Sequence, residues 1–267
     1  MVIQPFFGSN LANPDLHPAS PMNKLHACWK LARALVHAIA GLMTILIKFP
    51  RLSQTQRDLR VQAWSSEMLA CMGIRLIVKG QPAPAGPLLL VANHISWLDI
   101  TSLHAARHCR FVSKADVKHW PLIGPLASGA GTLFIERESR RDAMRVVHHM
   151  AERLRAGDVL AIFPEGTTSD GVSLRPFHAN LFQAAIAADA PVQPVAMQFI
   201  DQATGQRSLA PCYIDDDTLL GSVWRTLCTP GIAVVIIFGE VQTAQDRGRR
   251  VWAANVRDVI VGMRAAP

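Results

Sequence analysis

Two helical patterns open the chain. Residues 24–48 are strongly apolar, with Lys24, Lys30 and Arg33 ahead of the uncharged stretch 34–47 and Lys48 and Arg51 behind it. A stretch of 14 residues falls short of the roughly 20 that a helix needs to cross a bilayer. The pattern therefore predicts a helix that dips into one leaflet with its cations among anionic headgroups; a helix buried in the core is the competing expectation. Pro50 stops it. Residues 54–72 predict a second helix with Val61, Trp64, Met68 and Cys71 on one face at spacings of three and four, ended by Gly73.

Beyond Gly73 short apolar runs alternate with helical stretches. The runs 74–79, 87–92, 110–112, 132–136, 159–163, 192–199 and 232–238 read as strands, and 100–107, 141–155, 180–188 and 243–263 as helices. This alternation predicts an α/β fold, a mostly parallel sheet flanked by helices, behind an N-terminal two-helix preface. Residues 1–22, with their Pro, Asn and Ser, predict a disordered lead without the marks of a secretory signal, and Met22 is an alternative start. The expected organisation is a membrane-associated segment over 23–73 and a single α/β domain over 74–267.

Half of the residues are hydrophobic and 18% are charged, which is more apolar than a typical soluble domain and points to contact with something apolar beyond an ordinary core. The net charge of +7 calls for an anionic partner: nucleic acid, an anionic membrane or an acidic carrier protein. No nucleic-acid recognition motif accompanies the charge, so a nucleic-acid partner is not expected. Cys28, Cys71, Cys109, Cys212 and Cys228 are scattered without a Cys-x-x-Cys pair, which indicates neither a disulfide framework nor a zinc site and fits a reducing compartment. His104 and His108 stand four apart but lack an accompanying Glu, so no metal is expected.

The candidate chemistry follows three of the predicted strands. After the run ending at Ala92 comes Asn93-His94-Ile95-Ser96-Trp97-Leu98-Asp99, which places a histidine and a carboxylate at a strand's carboxyl end, where ligand sites of open α/β sheets gather. A histidine can take a proton from a hydroxyl near neutral pH when a partner fixes its tautomer, and the spacing lets Asp99 reach one ring nitrogen of His94. On these two residues alone, a helix-capping histidine with an exposed aspartate is the stronger reading. Further on, Gly131-Thr132-Leu133-Phe134-Ile135-Glu136-Arg137 puts an arginine beyond a strand, suited to bidentate anion recognition. Phe163-Pro164-Glu165-Gly166-Thr167 puts a carboxylate and a glycine turn beyond another, with backbone N–H groups that can face an anion.

Together these segments resemble the glycerolipid acyltransferase family. Its Asn-His-x4-Asp motif matches Asn93, His94 and Asp99, its Gly-x-x-Phe-Ile-x-Arg motif matches Gly131 to Arg137, and its Phe-Pro-Glu-Gly-Thr motif matches Phe163 to Thr167. A fourth, an apolar stretch around a proline, resembles 192–196, and the likeness spans roughly 25–199. The resemblance implies transfer of an acyl group from acyl carrier protein or coenzyme A to a lysolipid hydroxyl, without a cofactor or a covalent acyl-enzyme. It assigns His94 as general base and Asp99 as its partner. Arg137, Glu165, Gly166 and Thr167 would hold the acceptor's head, with Lys114 and Arg175 as further phosphate candidates. It also implies a bacterial inner-membrane enzyme facing the cytoplasm.

Many members acting on lysophosphatidate carry Arg after Glu-Gly-Thr, where this chain has Thr168, followed by Ser169-Asp170-Gly171. That run resembles the lyso-ornithine lipid branch, so both acceptors stay open, lysophosphatidate ahead. A lipid hydrolase would need a Gly-x-Ser-x-Gly elbow, which the sequence lacks. A silent membrane-surface protein would have no use for an intact His and Asp.

Overall fold

Leu88 to Ala92 is apolar at every position, and all five residues are fully buried. In a pleated strand successive side chains point to opposite faces, so helices must cover this strand from both sides. The computed structural model, which describes residues 21–135, 140–214 and 216–265, shows that arrangement. Its elements are α1 (Pro21–Ile47), α2 (Gln54–Met72), β1 (Arg75–Lys79), β2 (Leu88–Ala92), α3 (Leu98–Ala106), β3 (Arg110–Lys114), α4 (Ile123–Gly129), β4 (Leu133–Ile135), α5 (Arg140–Arg155), β5 (Val159–Ile162), α6 (Phe182–Ala188), β6 (Val192–Asp201), α7 (Leu219–Cys228), β7 (Ile232–Phe238) and α8 (Arg249–Ala265).

Among the described residues the strands form one sheet in the order β1-β7-β6-β2-β5-β3-β4. From β6 to β4 every neighbouring pair is parallel, while β7 runs antiparallel to β6 and carries β1 parallel to itself. Leu88, Leu90 and Ala92 pack towards Leu69, Leu98, Leu103 and Leu227 of the α1, α2, α3 and α7 layer. Leu89 and Val91 face Met150, Phe182, Trp252 and Val256 of the α5, α6 and α8 layer. Each such buried side chain contributes about 2 kcal/mol relative to exposure, which fixes β2 at the centre of the sheet.

The preface differs from its sequence pattern in two respects. In α2, opened by a reciprocal Ser53/Gln56 capping box and closed by Gly73 at φ 73°, the core-facing residues are Val61, Ser65, Leu69 and Met72. The expected stripe of Trp64, Met68 and Cys71 lies on the shoulder, only partly buried. Trp64 stacks on His37 of α1 with ring centroids 5.3 Å apart, and its Nε1–H donates to the His37 carbonyl at 3.1 Å. It ties the two helices together. Gly41 is required there, since a Cβ would lie 2.4 Å from the indole nitrogen.

The core-helix alternative for α1 fails. Ala27, Ala38 and Gly41 are buried along one stripe, but Trp29, Leu35, Val36, Ile39, Met43 and Leu46 are exposed. The residues 23–47 are also long and apolar enough to cross a membrane by length and composition, more than the uncharged stretch alone suggested. At the other end of the chain α8 begins at Arg249 instead of 243, because Gln245 and Asp246 take positive φ (49° and 60°), a conformation that interrupts a helix. Two short helices, α4 and α7, were not expected.

Candidate active site

The parallel register builds the site. Val91 of β2 lies beside Ile162 of β5 and Pro194 of β6, so the segments leaving these strands, Asn93-His94 and Phe163-Pro164-Glu165, emerge side by side at the sheet's carboxyl edge. Asn93 is buried and clamps the exit of β2 to β6: its Nδ2–H donates to the Met197 carbonyl at 3.0 Å and its Oδ1 accepts from the Met197 N–H at 2.7 Å. The chain turns there, and His94 lies face to face with Phe163, ring centroids 4.1 Å apart.

His94 Nδ1 meets Asp99 Oδ2 at 2.8 Å. The same oxygen accepts the N–H groups of Ile95 at 2.6 Å and Ser96 at 2.9 Å. An oxygen that takes two backbone donors is held as an acceptor, so Nδ1 carries the proton and Nε2 keeps its lone pair. Among the described residues Nε2 has no hydrogen-bond partner, and the His94 side chain is 19% exposed against 0% for Asp99. An exposed aspartate beside a capping histidine is thereby ruled out: the carboxylate is enclosed and the imidazole points its free nitrogen outward. Such a pair can remove a proton from a bound hydroxyl.

Glu165 is turned into the protein. Its Oε1 accepts the His94 N–H at 2.8 Å and its Oε2 the Arg175 N–H at 2.9 Å. Burial pushes its carboxyl above the usual range, and the two backbone donors pull the other way. It braces the dyad instead of offering its carboxylate to a ligand. Arg175 likewise takes part through its backbone, with an exposed side chain. Gly166 sits at φ 76°, and a Cβ there would meet the His178 ring at 2.9 Å. Its N–H is used within the turn, donating to the Phe163 carbonyl, while Thr167 is exposed. Lys114, at the end of β3, is exposed and lies 2.5 Å from Asp116. Arg137 falls outside the described residues.

Sequence reasoning missed Ser169, whose N–H and hydroxyl both donate to the His94 carbonyl, at 3.0 and 3.1 Å. Thr168 donates its hydroxyl to the Tyr213 carbonyl, and Trp97 donates to Ser222 of α7 at 3.1 Å. His104 lies deep behind the site, with its ring stacked on His108 at 5.2 Å and edge-on to Phe111. Burial first, and the neighbouring His108 second, lower its pKa to about 3, so it stays neutral. His108 pairs with Asp58 at 3.1 Å, and no group of three metal-ligating side chains occurs among the described residues.

A buried carboxylate paired with an outward imidazole at the carboxyl edge of such a sheet is an arrangement able to activate a bound hydroxyl. A family profile described as Acyltransferase matches residues 75–198. The chain is 40% identical over 184 residues to a 1-acyl-sn-glycerol-3-phosphate acyltransferase of Neisseria gonorrhoeae, covering 68% of this chain and 71% of that one. It is 44% identical over 164 residues to a lyso-ornithine lipid O-acyltransferase of Pseudomonas aeruginosa, covering 61% and 62%. The crystal structure of a 1-acyl-sn-glycerophosphate acyltransferase from Thermotoga maritima shares the fold, with a TM-score of 0.66 at 18% identity over 92% of this chain and 98% of that one. The chain belongs to this acyltransferase family and is an enzyme of the O-acyltransferase type.

Proposed function

We propose that the enzyme transfers an acyl group from acyl carrier protein or coenzyme A to the free hydroxyl of lysophosphatidate, giving phosphatidic acid, with His94 as general base. The observation that carries this reading is the 2.8 Å contact between His94 Nδ1 and the enclosed Asp99. Nε2 accepts the proton of the acceptor hydroxyl as its oxygen attacks the thioester carbonyl. Asp99 stabilises the imidazolium that forms, and as the tetrahedral intermediate collapses the C–S bond breaks and Nε2–H protonates the departing thiolate. No cofactor enters this sequence. Lys114 and Arg137 supply cations for the phosphate.

A second acceptor, lyso-ornithine lipid, is favoured by one observation. The position that is Arg in many lysophosphatidate enzymes is Thr168, engaged with the Tyr213 carbonyl, and the exposed carboxylate of Asp170 stands two residues on. Purified protein in detergent, offered both lysolipids with one labelled acyl thioester, is expected to turn over lysophosphatidate faster. Faster transfer to lyso-ornithine lipid would assign the second acceptor, and transfer to neither would end the reading.

The same proposal places α1 in the plane of one leaflet, at the cytoplasmic face of a bacterial inner membrane. Near its start Lys30 Nζ donates to the Leu227 carbonyl of α7 at 3.3 Å, and near its end Ile45 packs on Gly129 of α4. These points are separated by about 22 Å along the axis. A helix that lies along the body over this length cannot stand upright in a bilayer without drawing α4 and α7 into hydrocarbon, whereas lying flat buries Val36, Ile39 and Met43 in lipid. Val36→Asp with Ile39→Asp is expected to weaken co-flotation with anionic vesicles roughly a hundredfold, since each charge costs about 2.5–3.5 kcal/mol deep in the bilayer and less near its surface. Transfer between detergent-dispersed substrates should persist; unchanged flotation would remove this placement.

A further inference from the structure

We infer that Arg257 and Arg264 of α8 are positioning residues for the His94–Asp99 pair, so that a helix outside the 75–198 span of the family profile sets the geometry of the reaction centre. The inference rests on the acyl-transfer reading for its kinetic consequence only. Both arginines grip carbonyls of the loop that follows the Glu165 turn. Arg257 Nη2 donates to Leu174 O at 2.9 Å and its Nε to Arg175 O at 3.3 Å. Arg264 donates through Nη2 to Gly171 O.

The gripped loop in turn holds His94 by both backbone groups. The Arg175 N–H binds Glu165 Oε2, and Glu165 Oε1 binds the His94 N–H. At the loop's other end Ser169 supplies two donors to the His94 carbonyl, and its hydroxyl accepts from the Gly171 N–H at 3.3 Å. Gly171 is packed so closely on the catalytic segment that a Cβ would lie 3.0 Å from Ile95 Cδ1. From Arg257 the path to His94 therefore runs through hydrogen bonds alone, and from Arg264 through hydrogen bonds and the Gly171–Ile95 contact.

α8 is a rigid base for this grip. Trp252, Val256 and Ile260 are fully buried against the sheet and α6, and Gln198 of β6 donates to the Arg264 carbonyl at 2.7 Å. Arg257 and Arg264 are seven apart and so share one side of the helix, the side facing the loop. Arginine suits the task because its planar fork presents several donors in fixed directions. The guanidinium of Arg264 is half-buried beside Arg207, Glu165 and Asp170, and burial, with Arg207 second, lowers its pKa.

The test compares Arg257→Gln, Arg264→Gln and the double variant with Arg250→Gln, an exposed position on the same helix. Initial rates and backbone amide exchange are both measured. The double variant is expected to lose at least about tenfold in kcat, because displacing reacting groups by about 1 Å can cost up to roughly a hundredfold. KM for the acyl donor should stay within twofold. Exchange should accelerate at the amides of 169–175 while those of 252–260 stay protected. Lysine at either position should restore part of kcat, and Arg250→Gln should behave as wild type. A double variant with kcat within twofold of wild type overturns the inference, as does a loss of rate in which 252–260 opens and 169–175 does not loosen selectively. If the wild-type protein transfers no acyl group, the exchange data still decide whether α8 holds the loop.

Discussion

Alanine in place of His94 is expected to lower acyl transfer by roughly 10²–10⁴-fold, the usual contribution of a positioned general base, while vesicle binding is unchanged. Among the described residues the imidazole is the one group at the sheet edge that combines a fixed proton on Nδ1, a free Nε2 and access from outside. Phe163, stacked on its face, has no titratable group to take its place, and Glu165 is committed to two backbone N–H groups. The measurement is release of free thiol from the acyl thioester in detergent with saturating lysolipid. Turnover within about fivefold of wild type would falsify the assignment of the base and require another group to accept the proton.

Asparagine at position 99 is expected to be nearly as damaging to rate and also to cost stability. Its amide oxygen, placed where Oδ2 is, can keep the Ile95 and Ser96 N–H groups and the imidazole N–H. It brings no negative charge to an imidazolium formed at His94, and an amide that turns its nitrogen to the ring selects the wrong tautomer, the cause of a kcat loss of about 10⁴-fold for the same change in a Ser-His-Asp hydrolase. With the oxygen kept at the Oδ2 position, the amide nitrogen falls where Oδ1 lies, a buried position without a hydrogen-bond partner among the described residues. Two donors stranded there cost about 1–3 kcal/mol. A fall in kcat of at least a hundredfold with a melting temperature several degrees lower is the expected pair of results. Unaltered kcat would mean that Asp99 serves the loop's conformation and not the histidine's charge.

Much of this centre was legible in the linear sequence because its parts are local or lie next to strands. His94 and Asp99 are five residues apart on one turn, and the register of parallel strands brings Phe163 to them once β2 and β5 are read as neighbours. What escaped notice depends on contacts between distant segments. Glu165 reads as a ligand-facing acid because a carboxylate in a glycine turn gives no sign that its partners are two backbone amides. Trp64 reads as one member of an apolar helix face because His37, its actual partner, lies 27 positions away. α4 carries Pro125 inside seven residues and α7 carries Gly221 inside ten, and both break the periodicity by which helices are recognised. The start of α7 did leave a sign, since Thr218 caps it by accepting the Gly221 N–H at 3.1 Å. Ser169 left none, as a serine after two threonines announces no particular partner.

The base, its carboxylate and the two amides that orient that carboxylate all lie between His94 and Asp99. On the proposed mechanism the reacting unit is a cassette of six consecutive residues, while the groups proposed for the acceptor's head belong to other loops. Divergence in those loops can change the lipid accepted, provided that Glu165, Ser169 and Gly171 keep their hold on His94 and Ile95. A lineage built this way can explore new headgroups by drift, and relatives of comparable similarity with different acceptors are the expected record of such a history.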